Sequence, residues 1–304
     1  MCVERRVLVL LALALLLRAS PAAAQACCAG SGAVTPVRLG LHDQAAFGAQ
    51  LRASNVYGSH DADGEYVPAP AGAREWEFGE DLFAAVRVLG RGQLGALVPW
   101  VQTHRRAGGR EETGGGLGDL NLSARYDILL ARESLLVPGV GLLAGVTLPT
   151  GRAVESAEKP LATDATGLGA VQVNGGVAVE QVFGPWLVGL SGLVAYRAPR
   201  EVGGVTMELA PQWSLLGAGA YVFESGASVA LSALYAVEGD ATVAGRSAPQ
   251  SSRRWLRGSV AASLPIDDAW SLLGSVFANP PVSSLGVNQT TAVGASFGAK
   301  WALL

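Results

Sequence analysis

The residues of this chain with the plainest capacity for acid–base, nucleophilic or metal chemistry are three histidines, His42, His60 and His104, and the adjacent pair Cys27-Cys28. Hydrolysis needs a base beside a nucleophile or an activated water. His42 precedes the first strand-like stretch and His60 falls in a loop, while His104 ends a strand where Asp61, Asp63, Glu111 or Glu112 could approach it. No serine or asparagine stands beside any of the three in a catalytic motif. No catalytic residue is therefore assigned and the chain is not expected to be an enzyme, with a hydrolase of the outer membrane as the alternative that His104 keeps open. Two adjacent sulfurs without a nearby histidine fall short of the four spaced ligands that zinc prefers, so neither a metal nor a cofactor is expected.

A second set of polar residues has another spacing. Arg52, Glu77, Asp81, Arg87, Asp119, Asn121, Arg125, Asp127, Asn174, Glu180, Glu208, Arg257 and Lys300 alternate with apolar neighbours. If those stretches close into a barrel, these side chains point inward and are the candidates to line its lumen. Their signs are mixed, whereas a strongly selective ion channel concentrates one sign at its constriction. The formal net charge of −3 and the lack of a basic run argue against a nucleic-acid partner.

The elements that would hold these residues are long amphipathic strands. From Leu117 to Leu130 the even positions run Gly118, Leu120, Leu122, Ala124, Tyr126, Ile128 and Leu130, and the odd ones include Asp119, Asn121, Ser123, Arg125 and Asp127. That is a period of two, with one face for lipid and one for water. The same parity holds over 75–88, broken only by Glu80, and over 171–183 and 186–196, where Trp186 and Tyr196 stand at the two ends as girdle aromatics do. Weaker versions cover 45–57, 93–104, 135–148, 207–223, 227–238, 254–264, 269–278 and 290–303, giving twelve strands. Pro99 and Pro211 fall inside two of them, where each would remove a ladder donor.

The connections alternate in length. Short turns are expected at 90–92, 131–134, 184–185, 224–226 and 265–268, and longer loops at 58–73, 105–115, 150–167, 198–206, 239–252 and 279–289. Short periplasmic turns paired with long extracellular loops are the pattern of an outer-membrane barrel, with both termini in the periplasm. A soluble β-sandwich would use shorter strands and would leave Leu, Val and Trp facing water. Mean hydropathy is +0.32 with 15% charged residues, yet the most apolar uncharged stretch is punctuated by Pro138, Gly139, Gly141, Gly145 and Pro149, where a membrane helix needs good helix formers.

The N-terminus has the parts of a cleavable export signal: Arg5-Arg6, the apolar run Val7 to Leu17, and Ser20-Pro21-Ala22-Ala23-Ala24. Residues 1–24 are read as that signal, 25–43 as a periplasmic segment and 44–304 as the barrel. Cleavage after Ala26 would instead place Cys27 first, as a lipid anchor; Cys27 and Cys28 could also form a disulfide in an oxidising compartment or stay free.

The segment Gly116-Leu117-Gly118-Asp119, followed by Arg125-Tyr126 and by a strand ending in Pro149-Thr150-Gly151, resembles the outer-membrane β-barrel transporter family associated with meta-pathway phenol degradation. The resemblance covers the chain from about residue 75 onward. It implies a twelve-stranded barrel passing small, often hydrophobic or aromatic, compounds. The C-terminus departs from the usual assembly signal, since Phe297, Trp301 and Leu303 alternate correctly but the last residue is Leu304. The sequence therefore leads to an all-β, closed antiparallel transmembrane barrel of a Gram-negative outer membrane. Its expected partners are outer-membrane lipid, the barrel-assembly machinery and a small-molecule solute, its expected state is a monomer, and its expected work is passive, porin-like transport. A plugged barrel with a structural or adhesive role is the alternative.

Overall fold

The structure, a computed structural model, describes residues 38–40, 42–131 and 136–304. The segment read as an export signal and the cysteine pair lie outside the described residues.

Twelve long strands form the barrel: β1 (Ala45–His60), β2 (Arg74–Val88), β3 (Gly92–Ala107), β4 (Arg110–Leu117 continued as Leu120–Leu129), β5 (Gly139–Leu148), β6 (Gln172–Phe183), β7 (Trp186–Arg197), β8 (Gln212–Val222), β9 (Ser228–Glu238), β10 (Arg253–Pro265), β11 (Trp270–Ala278) and β12 (Gln289–Leu303). Each pairs antiparallel with its neighbours in sequence, and β12 returns to pair with β1 from Ala45↔Leu303 to His60↔Gln289. The sheet thus has no free edge, and every strand can satisfy its backbone N–H and C=O groups within the wall. That is the condition for crossing hydrocarbon, where water offers no alternative partner.

The faces follow the alternation. Leu122, Tyr126 and Ile128 on β4, Val173, Val177 and Phe183 on β6, and Trp186, Leu190 and Tyr196 on β7 all stand exposed on the outer surface. Inward positions are covered instead: on β9, Ser228, Ala230, Ser232, Leu234, Ala236 and Glu238 are all buried while the residues between them are not. Aromatics gather at the periplasmic rim, where Trp186 meets Tyr221 and Tyr221 meets Phe223 at 4.9 Å, and Phe47 lies 4.8 Å from Trp301. An exposed apolar belt around a closed sheet, with a girdle of aromatics, places the protein in the outer membrane. Glu80 sits opposite Trp100, beyond which the outward row of β3 turns polar at Gln102 and His104. On its own strand the outward row continues with Phe78 and Trp76, so this carboxylate stands among outward aromatics near the outer end.

Several expected boundaries move. The stretch 105–115 is no loop: β3 and β4 continue as a hairpin to the turn Gly108-Gly109, whose φ values of 57° and 77° suit glycine and match the twist of a two-residue turn. β4 is interrupted at Gly118-Asp119. Four residues of β3, from Leu97 to Trp100, oppose five of β4, from Leu117 to Asn121, so one residue is extra and the parity flips. Leu117 consequently faces outward. Pro99 sits beside this interruption, its carbonyl accepting from the Gly118 N–H at 2.8 Å, so the donor that proline lacks falls where the ladder is already open. Pro211 lies between strands, and β8 starts only at Gln212. The residues before it belong to a small extramembranous sheet of Arg200–Val202, Val205–Glu208, Thr242–Val243 and Arg246–Ser247. β5 starts at Gly139, after Pro138; position 135, the expected start, lies outside the described residues.

Parity carries a direct energetic consequence. Leu122→Arg puts a charge in the apolar belt and should destabilise the folded barrel by about 2–4 kcal/mol near the bilayer midplane, whereas Ser123→Arg points inward and should cost much less. Urea titration of the refolded variants in lipid vesicles measures both; equal losses would mean that the faces are misassigned.

Candidate functional site

The lumen divides into two sectors. On β1, β2, β10, β11 and β12 it is polar. Arg52 lies 3.5 Å from Glu77 and 3.9 Å from Asp81, and Gln50 and Ser275 both hydrogen-bond the Ser296 hydroxyl. Arg257 stacks over the Phe277 ring at 5.0 Å to the centroid, and its Nε has no hydrogen-bond partner among the described residues. Across the barrel, on β5 to β9, the middle of the wall is mostly aliphatic: Leu143, Ala178, Leu193, Leu216, Leu234 and Ala236 are all buried, with Ser214 and Ser232 among them. Neighbouring polar positions on that side serve mainly to join strands, as when the Asn121 amide donates to the Thr147 hydroxyl at 3.0 Å. Asn174 comes close to Gly145, where a Cβ would lie 2.7 Å from its Oδ1.

The periplasmic mouth is crossed by the start of the described chain. Arg38 forms an ion pair with Glu180 on β6, while Leu39, 3% exposed, packs on Ala46, Ala85 and Ala302 of β1, β2 and β12. Its N–H donates to Gln93 Oε1 at 2.9 Å. Arg87 donates to the carbonyls of Asp43 and Gly40, and Lys300 lies 3.6 Å from the Asp43 carboxylate. Glu180 also receives Arg125 at 3.0 Å, and Arg125 holds Asp127 at 2.7 Å. Arg125, Asp127 and Glu180 thus form a closed ionic cluster, one that the alternating pattern could place inward but could not pair.

At the outer end, Arg197 and Glu238 form a buried ion pair at 2.5 Å, and Arg197 further donates to Gln172 and Gln212. These four residues tie β6, β7, β8 and β9 together. The sequence reading did not single out Arg197, Gln212 and Glu238, because each lies at a strand end. The segment 149–171 folds over the inner face of the β3–β4 hairpin: Arg105, paired bidentately with Glu75, donates to the Leu161 carbonyl, and the Leu161 N–H donates to Glu112. Within this loop the Asp164 carboxylate accepts from the Glu158 and Lys159 N–H groups and from Arg152 at 2.6 Å. The Glu158 backbone bond first, then those from Arg152 and Lys159, hold its pKa down to about 2.

Most of the expected lumen residues lie on the inward face: Arg52, Glu77, Asp81, Arg87, Asn121, Arg125, Asp127, Asn174, Glu180, Arg257 and Lys300. Two do not line it freely. Glu208 is exposed in the extramembranous sheet, because Pro211 ends that segment before β8 begins. Asp119, at the interruption of β4, turns to the outer loop and accepts from the Gly151 and Leu168 N–H groups. His60 is not in a loop but ends β1, buried, with Nε2 3.0 Å from the Val282 carbonyl. His104 meets Thr113 Oγ1 at 2.8 Å and Glu111 at 3.2 Å. All three lie on the outward face of the hairpin, with Thr113 directly opposite His104 and Glu111, opposite Arg106, its diagonal neighbour; such cross-strand contacts are a common way to satisfy side chains on an exposed ribbon. No group of three or more His, Cys, Asp or Glu side chains fit to hold a metal occurs among the described residues.

No protein-family model and no curated protein matches the sequence. Among solved structures the chain is similar to the COG4313 outer membrane channel from Pseudomonas putida F1, at 14% identity and a TM-score of 0.72 over 90% of this chain and 99% of that one. It is also similar to the KdgM porin in complex with disordered oligogalacturonate, at 11% identity and a TM-score of 0.47 over 84% of this chain and 99% of that one. The NanC porin follows at 8% identity and a TM-score of 0.46 over 84% of this chain and 100% of that one. At such identities the first of these likenesses bears on the fold, a closed outer-membrane barrel.

The depressed pKa of Asp164 sets a pH window for the outer loop. Because the folded value, about 2, lies below the ordinary carboxylate value of about 3.9, the stabilisation is complete above the ordinary value and is lost as pH falls through the folded one. Hydrogen exchange of peptides covering 149–171 should stay slow, after correction for intrinsic rates, from neutral pH to about pH 4 and quicken towards pH 2. Asp164→Asn should quicken it even at neutral pH; an unchanged profile in that variant would remove Asp164 as the hub of the loop.

Proposed function

We propose that this protein is a passive channel for small solutes across the outer membrane, acting as a monomer, with the lumen as the route. The observation that carries the reading is the two-sided lumen, a charged and hydroxyl-rich sector facing one whose middle is mostly aliphatic, inside a closed membrane barrel. Such a wall suits a solute with an apolar flank and a polar group. It agrees with the small, often aromatic, compounds that the resemblance to the meta-pathway phenol family implies. The same reading takes residues 1–24 as an export signal and assigns insertion to the barrel-assembly machinery.

A plugged barrel with a structural or adhesive role is the second reading. It is favoured by the chain crossing the periplasmic mouth and by the ionic cluster of Arg38, Glu180, Arg125 and Asp127. The two readings separate at Arg257, whose charge is balanced by a ring rather than by a carboxylate bond. Arg257→Glu changes the lumenal charge by two units in a confined space where screening is weak. Under a salt gradient across a planar bilayer, the reversal potential should shift towards cation preference relative to the unaltered protein. Conductance with an unmoved reversal potential would take Arg257 out of the permeation path. Silence of both proteins, each folded by its heat-resistant gel mobility, would favour the plug.

A further inference from the structure

Two of the segments that carry the family resemblance, Gly118-Asp119 and Thr150-Gly151, far apart in sequence, meet at the outer mouth. The Thr150 hydroxyl donates to the Gly118 carbonyl at 2.6 Å and accepts from the Leu120 N–H at 2.9 Å. One carboxylate holds both feet of the loop: Asp119 takes the Gly151 N–H on Oδ1 at 2.9 Å and the Leu168 N–H on Oδ2 at 2.6 Å. The contact is too close for other residues, since a Cβ at Gly167 would lie 2.2 Å from Asp119 Oδ1. At the loop's far end Thr163 is fully buried over Gly114, where a Cβ would lie 2.6 Å from the Thr163 carbonyl carbon. Gly114 is opposite Thr103 on the inner face of the hairpin, and Thr103 is itself buried. The loop is therefore seated inside the mouth and not splayed over the outer surface.

We propose that the Asp119 clasp seats the segment 149–171 as the outer constriction of the channel, so that this loop, and not the barrel wall, sets the size limit for a solute entering from outside. The proposal rests on the channel reading. Its physical basis is the kind of contact involved. The loop is held at its feet by two charge-assisted backbone bonds to one side chain, and at its tip by a glycine seat. Asp119 is a positioning residue, acting through the loop it holds, and the interruption of β4 frees its carboxylate from the strand's regular alternation to do so.

The test compares the full-length mature protein with Asp119→Ala and with Gly114→Leu, which unseats the tip without touching the carboxylate. Glu201→Gln, at an exposed position of the extramembranous sheet, whose Arg200 touches the loop at Glu155 and at the Leu168 carbonyl, is the control. Each is checked for heat-resistant folding, for hydrogen exchange of the 149–171 peptides, and for single-channel conductance. Both unseating variants should exchange faster over the loop and conduct about twofold more or better, as expected when a pore-lining constriction is withdrawn, with Glu201→Gln unchanged. Faster exchange with unchanged conductance would overturn the loop as constriction while leaving the channel reading standing. Unchanged exchange in Asp119→Ala would overturn the clasp. Absence of conductance in every folded protein would overturn the channel reading, and the constriction with it.

Discussion

Everything in this molecule depends on backbone hydrogen bonding in a medium without water. An unpaired peptide group in hydrocarbon costs several kcal/mol, so a sheet can cross only if its first and last strands find each other. The pairing of β1 with β12 along nearly their whole length meets that demand. Once the cylinder is closed, a side chain has two destinations, and the period of two decides between them.

The inversion of the usual pattern follows. Large apolar side chains such as Leu190, Phe297 and Trp213 stand on the outside, where lipid covers them, and small or polar ones fill the interior. An interior of this width must settle charges that it excludes from bulk water. It does so locally at both ends, with Arg197 and Glu238 at one and Arg125, Asp127 and Glu180 at the other. Removing one partner of such a buried pair commonly costs about 3–5 kcal/mol, so these clusters hold the ends of the strands in place. The middle is less fully paired, with Arg257 resting on Phe277. On the channel reading proposed above, that division of labour leaves solute contact to the middle of the barrel and closure to its ends.

The strands and their faces were legible in the sequence because alternation is a local property that a closed membrane sheet cannot violate cheaply. Leu122 and Ser123, or Val173 and Asn174, could be assigned from their neighbours alone. What escaped was set by contacts distant in sequence. The extra residue at Gly118-Asp119 breaks parity only when β3 is laid beside β4. The hairpin through Gly108-Gly109 looks like a loop until Arg105 and Glu112 are seen opposite each other. Glu208 continues the apolar alternation of its stretch, and only Pro211 signals that the barrel strand has not begun. His60 and Arg197 sit at strand ends, where polarity suggests a loop and pairing decides otherwise. The pairing of Asp119 with Gly151 and Leu168 had no signal in spacing at all, although both motif segments were visible.

The central claim is that a closed, lipid-facing barrel encloses a path for small solutes, and flux across a sealed membrane tests it most directly. The refolded protein is reconstituted into vesicles loaded with a small aromatic carboxylate and a dextran too large for the barrel. The account predicts release of the small solute at a rate proportional to protein content, with the dextran retained. Retention of both by vesicles whose protein is shown to be folded and inserted would contradict it.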